Sequence, residues 1–163
     1  MTDDTKFKLL AAFKHMNQTI DTSSFDARLV FQKQIYLLQE LGLRLGNTYG
    51  WYIHGPYSSE AASDGFQLTS VQDHVKYLPE LSKDELQSLK TFEKLFSESK
   101  ETFKRKDEPY ILELLGSLHF LVKYGYPRPT DKKAALKRFF KLKPQFKEDA
   151  KVALELLEKH GLV

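Results

Sequence analysis

The sequence predicts an all-α fold of six to seven helices with one short β-hairpin, in a single domain over residues 1–163. Three observations carry that prediction. Apolar residues recur at three- and four-residue spacing through most of the chain, which lays one face of each helix against a core. Ser, Thr and Asp start signals precede several of these stretches. One aromatic and β-branched run, Tyr49 to Ile53, breaks the helical period between the turn signals Gly46-Asn47 and Gly50 on one side and Pro56 on the other.

Taken in order, a first helix runs from about Asp4 to Asn17, with Leu9, Leu10, Phe13 and Met16 on one side and Ile20 continuing the period. Ser23 and Asp26 form a potential capping box for a second helix, because a Ser oxygen can accept the unpaired amide three residues on. Val30, Phe31, Ile35, Leu38 and Leu41 are its apolar side, and Gly42 stops it. The extended segment follows. Trp51 is expected to be at least half buried, anchoring it against the second helix, because a two-stranded element is not stable alone. Period-two alternation sets Tyr52 and His54 on one face and Trp51 and Ile53 on the other. Ser58 or Ser59 caps a helix that Asp64-Gly65 interrupts. Ser82 with Glu85 is a second capping box, and Leu86, Leu89, Phe92 and Phe96 point inward after it. Asp107-Glu108-Pro109 starts the central helix, with acids at the positive end of the dipole and Pro in the first turn. Its stripe is Ile111, Leu114, Leu115, Leu118, Leu121 and Val122, and Gly125, Pro127 and Pro129 end it. Thr130 caps a helix to about Leu142, and Pro144 separates it from a last helix burying Val152, Ala153, Leu156 and Leu157.

Composition limits the function classes. Hydrophobic residues make up 41% and charged residues 29%, as in a globular protein rather than a disordered one. Cysteine is absent, so disulfides, thiolate nucleophiles and cysteine-type zinc sites are excluded, and a reducing cytoplasm is the expected location. The acidic start lacks the pattern of a signal peptide, and no segment approaches the ~20 consecutive apolar residues of a membrane span, so no membrane partner is expected.

The net charge of +3 is unevenly distributed. Residues 1–99 hold 10 basic and 13 acidic side chains, and residues 100–163 hold 15 and 9. Between Lys123 and Lys147 nine basic residues face only Asp131. Lys133, Lys137 and Lys141 fall at i, i+4 and i+8, one straight stripe, while Leu136, Phe139 and Phe140 point elsewhere. Arg128, Lys132, Arg138, Lys143 and Lys147 widen the basic surface, and Tyr124 and Tyr126 lie just upstream. Such a face can follow a phosphate backbone. It is equally a solvated helix surface or a contact for an acidic protein.

The densest cluster of unusual residues is Tyr49 to Glu60. Gly55-Pro56 makes a tight turn, and Tyr52, His54 and Tyr57 are candidates for contact with a protein partner. The stretch Lys33 to Leu41, the glycine-punctuated link after it and the run Trp51-Tyr52-Ile53-His54-Gly55-Pro56-Tyr57-Ser58 resemble the YwgA-like proteins of bacteria and archaea. The likeness to the Panacea (SocA-like antitoxin) domain is more distant. The closing pattern, Leu142-Lys143-Pro144 and then a helix ending Leu156-Leu157 and Gly161-Leu162, is also similar to YwgA-like proteins. The resemblance implies a helical domain with a winged-helix-like element, in families that are largely uncharacterised or linked to regulation and toxin neutralisation.

No catalytic residues are assigned. His54 with Ser58, Ser59, Glu60 or Asp64 has the composition of hydrolase chemistry but nothing that sets its geometry, and no G-x-S-x-G, Walker or G-x-G-x-x-G pattern is present. The five histidines, His15, His54, His74, His119 and His160, form no metal spacing, and His119 reads as a hydrogen-bonded core residue. No cofactor and no metal are expected. The sequence-level reading is a non-enzymatic regulatory or antitoxin-like module that binds DNA through Arg128, Lys132, Lys133, Lys137, Arg138 and Lys141. The alternative is a protein-only adaptor, with a hydrolase-type enzyme a distant third.

Overall fold

A computed structural model describes residues 3–163, with side chains from residue 4. Among the described residues, seven α-helices and one two-stranded antiparallel hairpin follow in the order α1 (Asp3–His15), α2 (Phe25–Leu41), β1 (Gly50–Tyr52), β2 (Gly55–Tyr57), α3 (Ser59–Val71), α4 (Lys83–Thr102), α5 (Glu108–Tyr124), α6 (Lys132–Leu142) and α7 (Ala150–Lys159). A 3-10 turn, Pro144–Phe146, joins the last two helices. Among the described residues no helix is long and apolar enough to cross a membrane.

α5 is the centre. Ten of its residues are buried, on all sides from Ile111 to Leu121, and it packs along α2 and against α6, α7 and β2. A helix apolar all round must be enclosed, and its neighbours supply the enclosure. α1 adds Leu9, Leu10, Phe13 and Met16, α4 adds Leu89, Phe92, Leu95 and Phe96, and α7 adds Ala153, Leu156 and Leu157, all in one apolar cluster. Each such Leu or Phe contributes about 1.5–3 kcal/mol when removed from water.

The helix ends follow local chemistry, at times one residue away from the sequence expectation. Ser24, not Ser23, caps α2 by accepting the Ala27 amide, because Ser23 is held by Asp21. Asp131, not Thr130, caps α6 through the Ala134 amide. The capping box of α4 forms in both directions between Ser82 and Glu85. Glu85 also accepts the Arg44 amide at 3.1 Å and pairs with Lys8 at 3.1 Å, tying the start of α4 to the link after α2 and to α1.

α3 runs through Asp64-Gly65 without interruption. A side chain at Gly65 would place its Cβ 2.5 Å from the Phe31 ring. The glycine is therefore a point of close helix approach, which lets Phe31 of α2 lie against α3.

Irregular backbone inside the fold is satisfied by three glutamine side chains. Gln32, Gln39 and Gln72 each donate to the carbonyl and accept from the amide of one residue, Ser58, Asn47 and Ile20 respectively, at 2.8–3.0 Å. Each amide group stands in for a paired strand, so the chain passes the core without a third strand. Gln32 and Gln72 are almost fully buried as a result.

The hairpin is shorter than the aromatic run. Trp51 pairs with Pro56 and Tyr52 with Gly55, leaving Ile53-His54 as a two-residue loop rather than strand positions. Ile53 is consequently 85% exposed, and the alternation expected for residues 51–54 stops at Tyr52. Trp51 is 37% exposed. Its ring lies 5.9 Å from that of Phe120, so α5, not α2, is the helix that its indole meets. β2 seats against α2 and α5. Gly55, at φ +93°, makes this possible. A Cβ there would sit 2.1 Å from the Ser117 Oγ of α5.

Candidate functional site

Beneath the hairpin loop lies a cluster of charged groups built from four elements. Glu113 stands alone among Leu112, Leu114 and Leu115 on α5 and is only 8% exposed. One carboxylate oxygen accepts from Lys143 Nζ at 3.1 Å, and the other contacts His54 Nδ1 at 3.0 Å. Lys143 Nζ also donates to the Ile53 carbonyl and lies 5.6 Å from the Trp51 ring centre. Lys33 of α2, 2% exposed, donates to the Pro56 carbonyl at 2.8 Å. Burial pushes the Lys33 ammonium down to about 8. Glu113 opposes that fall, and the charge of Lys143 adds to it. Lys143 and His54 contact the one carboxylate, which also acts on the charge of Lys33, although among the described residues Lys33 forms no direct ion pair. Because a carboxylate only accepts, His54 donates through Nδ1, which leaves Nε2 for another partner.

This cluster borders an apolar cleft of about 230 Å³ between α2, the hairpin and α3. Phe25, Leu29 and Phe31 of α2, Tyr57 of β2, and Ala62 and Phe66 of α3 line it. Thr22 and Gln32 add polar groups, and Arg28, Lys33 and His54 add basic ones. Among the described residues none that lines it is acidic. Phe25 and Phe66 are 54% and 55% exposed, and Phe25 meets the His54 ring edge-on at 5.1 Å. Sequence reading passed over Glu113, Phe25 and Phe66 and placed Lys143 on the surface. The legible signals were a lone acid in the most apolar helix and a lysine within the core-facing stretch Phe31 to Leu38.

Of the residues expected to meet a protein, His54 and Tyr57 line this cleft, while Tyr52 lies outside it with its ring 5.1 Å from that of Tyr57. The Oγ of Ser58 caps α3 by accepting the Ala61 amide. His119 is fully buried, with Nδ1 2.6 Å from the Tyr36 hydroxyl and Nε2 3.0 Å from the Leu162 carbonyl.

The basic face on α6 is narrower than the sequence suggests. Lys133, Lys137 and Lys141 are exposed, as the stripe requires, with Ala135 and Phe139 buried behind them. None of the three forms an ion pair among the described residues. Lys132 pairs with Glu158 of α7 at 2.5 Å. Arg138 donates to the Pro127 carbonyl and Arg128 to the Lys123 carbonyl. These arginines brace the segment between α5 and α6 while keeping their charge. Lys143 leaves the surface altogether, because the buried Glu113 carboxylate and the hairpin loop supply its acceptors.

Among the described residues no group of histidines and acids is arranged to hold a metal ion. Comparison of the chain with family models, with curated proteins and with solved structures gives no match.

Proposed function

We propose that the chain is a non-enzymatic regulatory module of the cytoplasm that binds a polyanion, duplex DNA, through the exposed face of α6. The observation that carries this reading is the row Lys133, Lys137 and Lys141. All three are exposed and form no ion pair among the described residues, although Lys132 beside them is consumed by Glu158. At a rise of 1.5 Å per residue the row places a cation about every 6 Å. Arg128 and Arg138, tied to carbonyls at one end, extend the positive charge without neutralising it. The resemblance of the Trp51–Ser58 run to YwgA-like and antitoxin-type families supports the same reading. The exposed pair Tyr52 and Tyr57 supports a second reading, a protein-contact surface on the hairpin.

Binding of this kind is largely independent of sequence and depends on salt. Three phosphate contacts give a log–log salt slope of about −2.7, or roughly a 40-fold loss between 50 and 200 mM salt. Fluorescence anisotropy with a random-sequence duplex measures it. A chain carrying Lys133→Glu, Lys137→Glu and Lys141→Glu should keep its helical circular dichroism and lose binding. A wild-type chain without affinity at ~50 mM salt, or a triple variant that binds equally well, overturns the proposal.

A further inference from the structure

The cleft between α2, the hairpin and α3 has a composition that the basic face of α6 does not explain. Its walls are aromatic, with Phe25, Phe66 and Tyr57 open to solvent to different degrees. Its basic lining residues are Arg28, Lys33 and His54, and among the described residues no acid lines it. The buried groups behind it repeat the imbalance. Lys33 and Lys143 lie around a single carboxylate, Glu113, which is also shared with His54. A desolvated cation with only a carbonyl acceptor gains most from an added anion, because the attraction is little screened there. Arg28 forms no ion pair among the described residues, and its Nη1 donates to the Thr22 carbonyl. Among the described residues His54 Nε2 has no hydrogen-bond partner. Aromatic walls with convergent basic groups are complementary to an apolar body carrying one negative charge. The volume of about 230 Å³ lies just below the usual range of small-molecule sites, about 300–1,000 Å³, which sets the ligand at the small end.

We propose that this cleft is a binding site for a small apolar monocarboxylate, an aromatic or branched aliphatic acid, with its hydrocarbon between Phe25 and Phe66 and its carboxylate toward Arg28, Lys33 and His54. The site is independent of the DNA-binding reading and is tested without DNA. Phe25 and Phe66 are each more than half exposed, and the helices that carry them, α2 and α3, approach closely where Phe31 meets Gly65. The proposal involves binding only, with no bond made or broken.

The test is a titration of the full chain, followed by amide shifts in a ¹⁵N-correlated NMR spectrum, with 3-phenylpropanoate and indole-3-acetate. Their primary amides serve as matched uncharged probes, phenethylamine as the cationic one, and a short peptide ending in Phe as a macromolecular source of the same carboxylate. Both free acids should saturate, with shifts centred on residues 25–33, 54–57 and 62–66. The amides and the amine should bind at least about tenfold more weakly, because each lacks the charge that the basic lining recognises. Arg28→Gln changes an exposed residue and should leave the fold intact while weakening both acids several-fold. Phe66→Ser should do the same through the apolar contact. Equal binding of acid and amide, saturation by the peptide but not by the free acids, no saturation by either acid up to its solubility, or an Arg28→Gln chain that binds like the wild type would each overturn the assignment. Lys33→Met is not needed for the decision, since it risks the fold.

Discussion

Acid should unfold this protein partly through one buried histidine, and the size of the effect follows from the geometry. His119 lies on α5 at 0% exposure. The Leu162 carbonyl can only accept, so Nε2 carries the proton and donates to it, and Nδ1 accepts from the Tyr36 hydroxyl. Protonating Nδ1 would place a charge in the core and turn the Tyr36 hydroxyl from donor to acceptor. Burial holds the imidazole down to about 4, against 6.5 for the free side chain. Between those values the unfolded chain binds the proton and the folded chain does not, so stability falls as pH falls from 6.5 and levels off near 4. At pH 5 the linkage amounts to about 2 kcal/mol relative to pH 7. Carboxylates such as Asp21 and Glu98, which hydrogen bonds hold below their ordinary range, add to acid sensitivity, so the wild type alone does not isolate the effect. His119→Gln does. Its amide keeps an acceptor for Tyr36 and a donor for Leu162 and does not titrate. Urea unfolding at pH 7 and pH 5 should show the wild type losing about 2 kcal/mol more than the variant. Equal losses in the two chains would refute the reasoning.

Two further predictions concern the hairpin and the charges beneath it. Gly55→Ala should destabilise the fold by about 2 kcal/mol or more, since the left-handed backbone alone costs about 1–2 kcal/mol for a side-chain-bearing residue and the new Cβ meets Ser117 Oγ at 2.1 Å. Adding Ser117→Ala should return part of that loss, and a Gly55→Ala chain melting with the wild type would refute the close-approach argument. Glu113→Gln should lower stability by about 3–5 kcal/mol in urea unfolding, because it leaves Lys143 buried without its carboxylate and removes the negative charge that favours the Lys33 ammonium. Glu113→Gln with Lys143→Met should recover part of it, and a loss below about 1 kcal/mol for the single variant would contradict the buried pairing.

What the sequence by itself determined is what depends on near neighbours in the chain. The apolar period of α5, the Ser82–Glu85 box, the Asp107-Glu108-Pro109 start, the stops at Gly42 and Gly125 and the outward row of Lys133, Lys137 and Lys141 all follow from residues within two turns of one another. The tertiary structure decided what joins distant segments. Lys143 shares the basic composition of its neighbours, yet it is buried because Glu113, thirty residues earlier, and the Ile53 carbonyl, ninety residues earlier, meet its ammonium group. Gly65 carries the signature of a helix break, yet α3 continues through it, and the Phe31 ring fills the space a side chain would take. Gln32, Gln39 and Gln72 look like surface residues until the fold brings an unpaired peptide group to each. The cleft is of the same kind. Phe25, Arg28 and Lys33 on α2 become its lining only when His54 and Phe66 are brought opposite them, since a binding surface depends on the positions of groups in space and not on their order along the chain.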